Sequence, residues 1–278
     1  MLLDIFLKLV QKLTPAPLYH VLADMFRQYR DYLLDDYYYN ILSAYTKIIA
    51  EKAIDVSSKT ILELGGGNSI ITGLGFLLLG AKRVVLIDPA LKRRNILQFY
   101  QQKEIIIENA RLDSSIANKY SKSVDLIVSY QVLEHIVDLR EVFKMFDIML
   151  TPSGCMYHYV DLTDHTYHSL FTFLKPLGVN LNKAQSKYLQ YSDTIFDLIN
   201  PNIKYYMNRR LLPYYLLLLE GLNYEYSLRS LGYFEGEFHN FHQDVLSKNK
   251  NEKHASLLKV KLFDIVAQRR STSTHFKP

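Results

Sequence analysis

Residues 61–69, ILELGGGNS, join an apolar run to three consecutive glycines, and that junction constrains the whole chain. Ile61, Leu62 and Leu64 have the near-continuous hydrophobicity of a strand buried on both faces. Gly65, Gly66 and Gly67 let the backbone turn sharply, and Asn68 or Ser69 is placed to cap a helix through SIITGLGFLLLG that stops at Gly80. The order strand, glycine turn, helix lets a ligand lie against main-chain amides at the helix start, because no Cβ stands in the way. A GxGxxG dinucleotide turn starting at Gly65 would need glycine or alanine at position 70. Ile70 stands there, which disfavours a pyrophosphate ligand.

The next apolar run, Val84 to Ile87 in AKRVVLIDPA, reads as a second strand ending in Asp88, twenty-three positions beyond Gly65. An acidic residue at that offset sits at the carboxyl end of the neighbouring strand, where it can accept hydrogen bonds from both hydroxyls of a ribose.

Glu63 followed by Gly65 and Gly67, an acidic residue and then GxG, resembles the first motif of class I S-adenosylmethionine-dependent methyltransferases. The chemistry of that cofactor is consistent with the turn. It carries no phosphate, and its cationic ammonium is complemented by a carboxylate at a strand end, directly or through water. The resemblance implies S-adenosylmethionine as cofactor, held by Glu63, Gly65, Gly66, Gly67, Asp88 and Pro89. A third strand, Glu104 to Glu108, is followed by Asn109-Ala110 where the family often has aspartate and alanine beside the adenine. The asparagine side-chain oxygen can still accept that bond, with Asp113 as the fallback.

A fourth strand, SVDLIVSY, ends near Ser129 and leads into QVLEHIVDL, a second stretch that resembles the family. In that fold the end of this strand lies beside the transferring methyl, so the resemblance brings Ser129, Gln131, Glu134 and His135 near the chemistry, with Ser129 and Gln131 on the cofactor. His135 is a candidate base, because imidazole titrates near neutrality. EVFKMFDIML spaces its apolar residues as a helix facing the sheet, TPSG turns the chain, and CMYHYVDL follows as a fifth strand with Cys155 toward the core. Beyond it, HYVDLTDHTYH at 158–168 puts polar residues at a strand's carboxyl end, where open α/β sheets bind ligands. Asp164 and His165 are further candidates for the base. Two aspartates and two histidines in this stretch could hold a divalent ion, but no spacing dictates a coordination geometry and no metal is assigned. DLTDH, with YSD at 191–193 and NRR at 208–210, resembles methyltransferases of bacterial glycan and secondary-metabolite pathways.

The outer segments complete the organisation. Residues 1–56 form an N-terminal helical extension: MLLDIFLKLVQKL has an apolar helical face, TPAP breaks it, and PLYHVLADMFRQYRDYLL and NILSAYTKIIAEKAI continue as helices with DDYYYN turning between them. The resemblance implies that such an extension closes over the cofactor's methionine end, where His20 and Tyr37, Tyr38 and Tyr39 could reach. Residues 57–270 form the methyltransferase domain, with a helical lid inserted at about 166–207 that shapes the acceptor pocket, and 271–278 are a flexible tail. LLPYYLLLLEGL supplies the last large helix, NYEYSLRS a sixth strand, and VKLFDIVAQRR a seventh, antiparallel at the sheet edge. The fold expected is an α/β, Rossmann-like, seven-stranded, mostly parallel sheet of order 3-2-1-4-5-7-6 with helices on both faces.

Composition narrows the partners. A net charge of +5 over 278 residues, without a dense basic block, gives no sign of nucleic acid binding. One cysteine excludes internal disulfides and multi-cysteine metal sites and suits a reducing cytoplasm. No apolar run approaches the roughly 20 residues that span a bilayer, although residues 1–13 could dock on a membrane surface. The expected activity is methyl transfer to a hydroxyl or amine of a small molecule or glycan precursor. The competing readings are a nicotinamide-dependent oxidoreductase, opposed by Ile70 and the lack of a TyrxxxLys pair after the fourth strand, and a non-catalytic adapter that keeps the methyltransferase shell.

Overall fold

The computed structural model describes residues 38–66, 70–89, 104–164, 186–199, 206–234, 241–249 and 252–270. The expectations for residues 1–37, the helix after Pro89, Gly67, Asn68, Ser69, His165, most of the lid and the 271–278 tail fall outside these residues.

Seven strands form one sheet in the order β3-β2-β1-β4-β5-β7-β6. These are β1 (Thr60–Leu64), β2 (Arg83–Ile87), β3 (Ile105–Glu108), β4 (Val124–Tyr130), β5 (Leu150–Asp161), β6 (Tyr224–Tyr233) and β7 (Val260–Arg269). The first five are parallel, and β7 runs antiparallel to both β5 and β6. The seventh strand is therefore antiparallel as expected but lies one place in from the edge, which β6 occupies. The sheet order is the one read from the sequence.

The described helices are α1 (38–51), α2 (Ile71–Leu78), α3 (Ser114–Lys119), α4 (Leu139–Met149), α5 (Asp193–Ile199), α6 (Leu212–Gly221) and α7 (Gln243–Asn249). They divide between two faces, and strand alternation decides which residues meet which. Leu62, Leu64, Val85 and Ile87 join a core with Phe143 and Phe146 of α4 and Leu216 and Leu219 of α6. Ile61, Val84, Leu86 and Val128 look the other way, onto Tyr45 and Ile48 of α1 and Phe76 of α2. Each fully buried side chain of this size contributes about 1.5–3 kcal/mol relative to exposure.

Local chemistry sets several boundaries. Asp113 caps α3 by accepting from the Ile116 amide at 2.9 Å, and Asp138 caps α4 by accepting from Glu141 at 3.1 Å. Asp113 thus has a structural task as the N-cap of α3. α2 begins after Ile70 with no side-chain cap bond and ends before Gly80, whose φ of +95° favours glycine. Residues 38–40 are already helical, so DDYYYN does not turn throughout. TPSG is not a free turn either: β5 starts at Leu150, and the register slips from Val124↔Leu150 to Leu126↔Cys155, leaving Thr151–Gly154 as an irregularity inside the strand. Cys155 is half-buried against the α1 and α2 side, as expected of a core-facing thiol.

α1 belongs to the core. Tyr45 and Ile48 are buried, and Glu51 and Lys52 reach across the face to Arg229 (3.2 Å) and Ser227 (2.7 Å) of β6.

Candidate active site

Glu63 lies next to last in β1, between Leu86 of β2 and Val128 of β4. Its side chain points into the α1 and α2 face, 2% exposed, where Oε1 accepts from the Tyr45 hydroxyl at 3.2 Å and Oε2 from the Thr72 hydroxyl. Burial pushes its carboxyl up to about 7; the Thr72 and Tyr45 hydrogen bonds oppose the rise, and the nearby Asp88 charge adds to it. A carboxyl poised near neutrality responds to any positive charge that arrives beside it.

The turn after β1 is tight for a specific reason. Gly65 has φ of +79°, and its amide donates to the Ile87 carbonyl at 2.9 Å, tying the turn to the end of β2. A Cβ there would lie 2.2 Å from Cγ2 of Val132. Gly66 is buried beside it. Asp88 follows β2 directly, 9% exposed, with its amide donating to the Glu108 carbonyl at 3.2 Å. Glu63, Gly65 and Asp88 therefore meet at the carboxyl ends of β1 and β2. Pro89 is exposed, and Asn109 (exposed) and Ala110 (half-buried) follow the end of β3.

Ser129 has a different environment from the one expected. Strand parity turns its side chain to the α4 face, where its hydroxyl meets Nδ1 of His158 at 2.8 Å, and the His158 ring stacks on Phe146 at 5.2 Å. Both residues are wholly buried, and burial pushes the His158 imidazole down to about 3, so it is neutral. The Ser129 hydroxyl is thus used inside the core. Gln131 stands just past β4 with φ of +55°, its amide donating to the Tyr159 carbonyl at 2.8 Å and its side chain to Asp161 at 3.3 Å.

Beyond it, Leu133–His135 form a 3-10 turn. Asn208 clamps this turn: its side chain donates to the carbonyls of Leu133 (2.7 Å) and Ile136 (2.9 Å), and its amide to that of Glu134 (2.9 Å). Glu134 is buried and accepts from the Asp161 amide at 3.4 Å. His135 is half-buried, with Nδ1 2.6 Å from the Tyr206 carbonyl. A carbonyl can only accept, so Nδ1 carries the proton in the neutral ring and Nε2 has the lone pair. Asp164 is 2% exposed, and its charge helps hold the buried Tyr188 phenol well above its ordinary range.

The YSD and NRR stretches meet each other. Arg209, with φ of +56° and 5% exposure, donates to the carbonyls of Tyr191 and Ser192 (the latter at 3.4 Å), pairs with Asp193 at 3.3 Å, and stacks over Phe196 at 4.6 Å. These residues tie chain segments together. Among the described residues no group of three or more His, Cys, Asp or Glu is arranged to hold a metal. Tyr45 and Thr72, the two hydroxyls on Glu63, lie beyond sequence reasoning, since neither is part of a motif.

Comparison with known proteins gives the family. A sequence profile described as a methyltransferase domain matches residues 26–232. The chain belongs to the class I S-adenosylmethionine-dependent methyltransferases. No curated protein matches the sequence. Among solved structures, this methyltransferase is similar to the geranyl diphosphate C-methyltransferase of Streptomyces coelicolor A3(2), with a TM-score of 0.52 at 11% identity over 82% of this chain and 77% of that one. It is also similar to phosphoethanolamine N-methyltransferase 2 of Haemonchus contortus, with a TM-score of 0.51 at 13% identity over 84% of this chain and 53% of that one. At such identities the likeness is one of fold. The methyltransferase contains no helix, among the described residues, long and apolar enough to cross a membrane.

Proposed function

We propose that this methyltransferase moves a methyl group from S-adenosylmethionine to a hydroxyl or amine of a small molecule or glycan precursor, in the cytoplasm. The observation that carries the cofactor assignment is the meeting of Glu63, Gly65 and Asp88 at the ends of β1 and β2. The fit is chemical. The Glu63 carboxylate complements an ammonium, Gly65 at φ +79° makes the tight turn that brings the chain past Val132, and Asp88 can accept from two ribose hydroxyls. Gly66, Gly67, Pro89, Asn109, Ala110 and Gln131 complete the proposed cofactor shell, with Ser129 contributing through its backbone alone. The domain division proposed is an extension at 1–56, a methyltransferase domain at 57–270 and a lid near 166–207.

Bound S-adenosylmethionine supplies an electrophilic methyl on a sulfonium. The protein's work is mainly alignment, since in-line displacement needs donor and acceptor at close approach and a water-poor site. His135 is the preferred base for a hydroxyl acceptor, because it stands in the turn just past β4 and the Tyr206 carbonyl orients its ring through Nδ1. Asp164 and His165 are the alternates. Acceptors with phosphate or amine groups, as named for the two similar structures, are sensible first compounds to try.

Calorimetric titration with S-adenosylmethionine and, separately, NADH tests the donor. Micromolar binding of the first alone supports the proposal. Binding of NADH alone would favour the oxidoreductase reading, and binding of neither would favour the adapter. Transfer of labelled methyl to panels of sugars, phenols and amines then sorts the acceptors.

A further inference from the structure

We infer that Tyr45, on the helix that precedes the sheet, is a positioning residue for S-adenosylmethionine binding, acting by holding and ionising the Glu63 carboxyl. The inference rests on the proposed role of Glu63 at the cofactor's ammonium.

The geometry is specific. Glu63 is buried on the α1 side of the sheet, and its two oxygens each have a hydroxyl donor, Thr72 of α2 on Oε2 and Tyr45 of α1 on Oε1 at 3.2 Å. Both donors favour the charged carboxylate, because only an ionised carboxylate accepts at both oxygens without itself donating. Tyr45 cannot swing away from this task. Its ring is fully buried, stacked on Phe76 at 5.5 Å and met edge-on by Tyr130 at 6.4 Å and Tyr157 at 5.9 Å. The helix that carries it is fastened at its far end through Glu51 and Arg229. The phenol is thus held by its packing on Phe76, Tyr130 and Tyr157.

Among the described residues three side chains and burial act on Glu63. Asp88 at the end of β2 opposes ionisation, Thr72 and Tyr45 favour it, and burial opposes it most. The neighbours Tyr130 and Tyr157 are neutral phenols near pH 7, both raised by burial. Among the described residues the two hydroxyls of Thr72 and Tyr45 are what offsets the burial cost at Glu63. A cationic ligand end would then find an oriented carboxyl that ionises more readily than burial alone would allow.

Tyr45→Phe keeps the ring and removes the donor. Calorimetric titration of the full chain with S-adenosylmethionine from pH 5.5 to 9 should show affinity rising as Glu63 ionises. In Tyr45→Phe the midpoint of that rise should move up by about one pH unit, the size expected for a hydrogen bond to a charged group. Carbon-13 carboxyl titration of the ligand-free protein should show the same displacement. A ring-fluorinated tyrosine at position 45, a stronger donor of nearly the same shape, should move both midpoints down, and this arm remains if Tyr45→Phe fails to fold. Midpoints unchanged in the folded variants, with Glu63→Gln abolishing the pH dependence, would reduce Tyr45 to packing while leaving the cofactor assignment intact. An unaltered protein that binds no S-adenosylmethionine would overturn both.

Discussion

Val132 fills the space that a side chain at Gly65 would need, its Cγ2 lying 2.2 Å from the position of a Cβ there. The turn after β1 and the turn after β4 therefore share one packing contact, and the two loops nearest the proposed chemistry cannot move independently.

Gly65→Ala meets both this overlap and a φ of +79°. Overpacking costs about 1–3 kcal/mol and a left-handed alanine about 1–2 kcal/mol, so urea unfolding should show a loss of roughly 2–5 kcal/mol. Adding Val132→Ala should restore the part due to overlap and leave the backbone part. A single mutant as stable as the parent would mean that the turn is looser than drawn.

Asp88→Ala should weaken S-adenosylmethionine binding by more than about tenfold, the loss expected when hydrogen bonds to a charged acceptor disappear. Its amide bond to Glu108 is main-chain and survives the change. Unaltered affinity in calorimetry would take Asp88 out of the cofactor site.

Glu63 makes the ligand-free protein less stable as pH rises. Its carboxyl is near 7 when folded against an ordinary value of 4.5, so the folded chain binds more protons between those limits and loses stability as pH climbs through that window. The shift corresponds to about 3 kcal/mol. Glu63→Gln should therefore raise the melting temperature at pH 8 while weakening cofactor binding. A lower melting temperature at that pH would contradict the burial cost.

His158 gives the opposite slope. Its imidazole is near 3 when folded against an ordinary 6.5, so the unfolded chain binds the extra proton and stability falls as pH drops from 6.5 toward 3. Ser129→Ala leaves that ring without its 2.8 Å partner and should cost about 1–3 kcal/mol, with S-adenosylmethionine affinity unchanged. A large drop in affinity would return the Ser129 hydroxyl to the cofactor site.

For a hydroxyl acceptor, His135→Ala should lower kcat by about 100- to 10,000-fold at saturating donor, with donor affinity preserved. Activity indifferent to the combined loss of His135, Asp164 and His165 would mean that the acceptor needs no base from the protein.

The cofactor end of the fold was legible because it depends on local order. An apolar run, glycines and an acid at a fixed offset fix β1, its turn and Asp88 with no knowledge of tertiary contacts. The direction of the Ser129 side chain was not legible because the motif marks the end of β4 but not the face: residue 128 packs toward α1, so residue 129 must face α4. NRR and YSD stood out only by resemblance to other methyltransferases, and their contact was not legible: Arg209 spends its guanidinium on the carbonyls of Tyr191 and Ser192. Tyr45 was illegible for a different reason. Its partner is eighteen residues away and on another element, and one tyrosine among twenty-two carries no mark of the hydroxyl that matters.

The placement of β7 between β5 and β6 has a consequence for synthesis in the cell. A ribosome releases β6 before the strand that is to hold it, so β6 waits without a hydrogen-bonding neighbour, and the open side of β5 stays bare until residues 260–269 emerge. An exposed strand edge is a template for pairing with other chains. Translation that halts between β6 and β7 thus leaves a nearly complete parallel sheet with a vacant slot, and aggregation of such truncated chains should begin at β5.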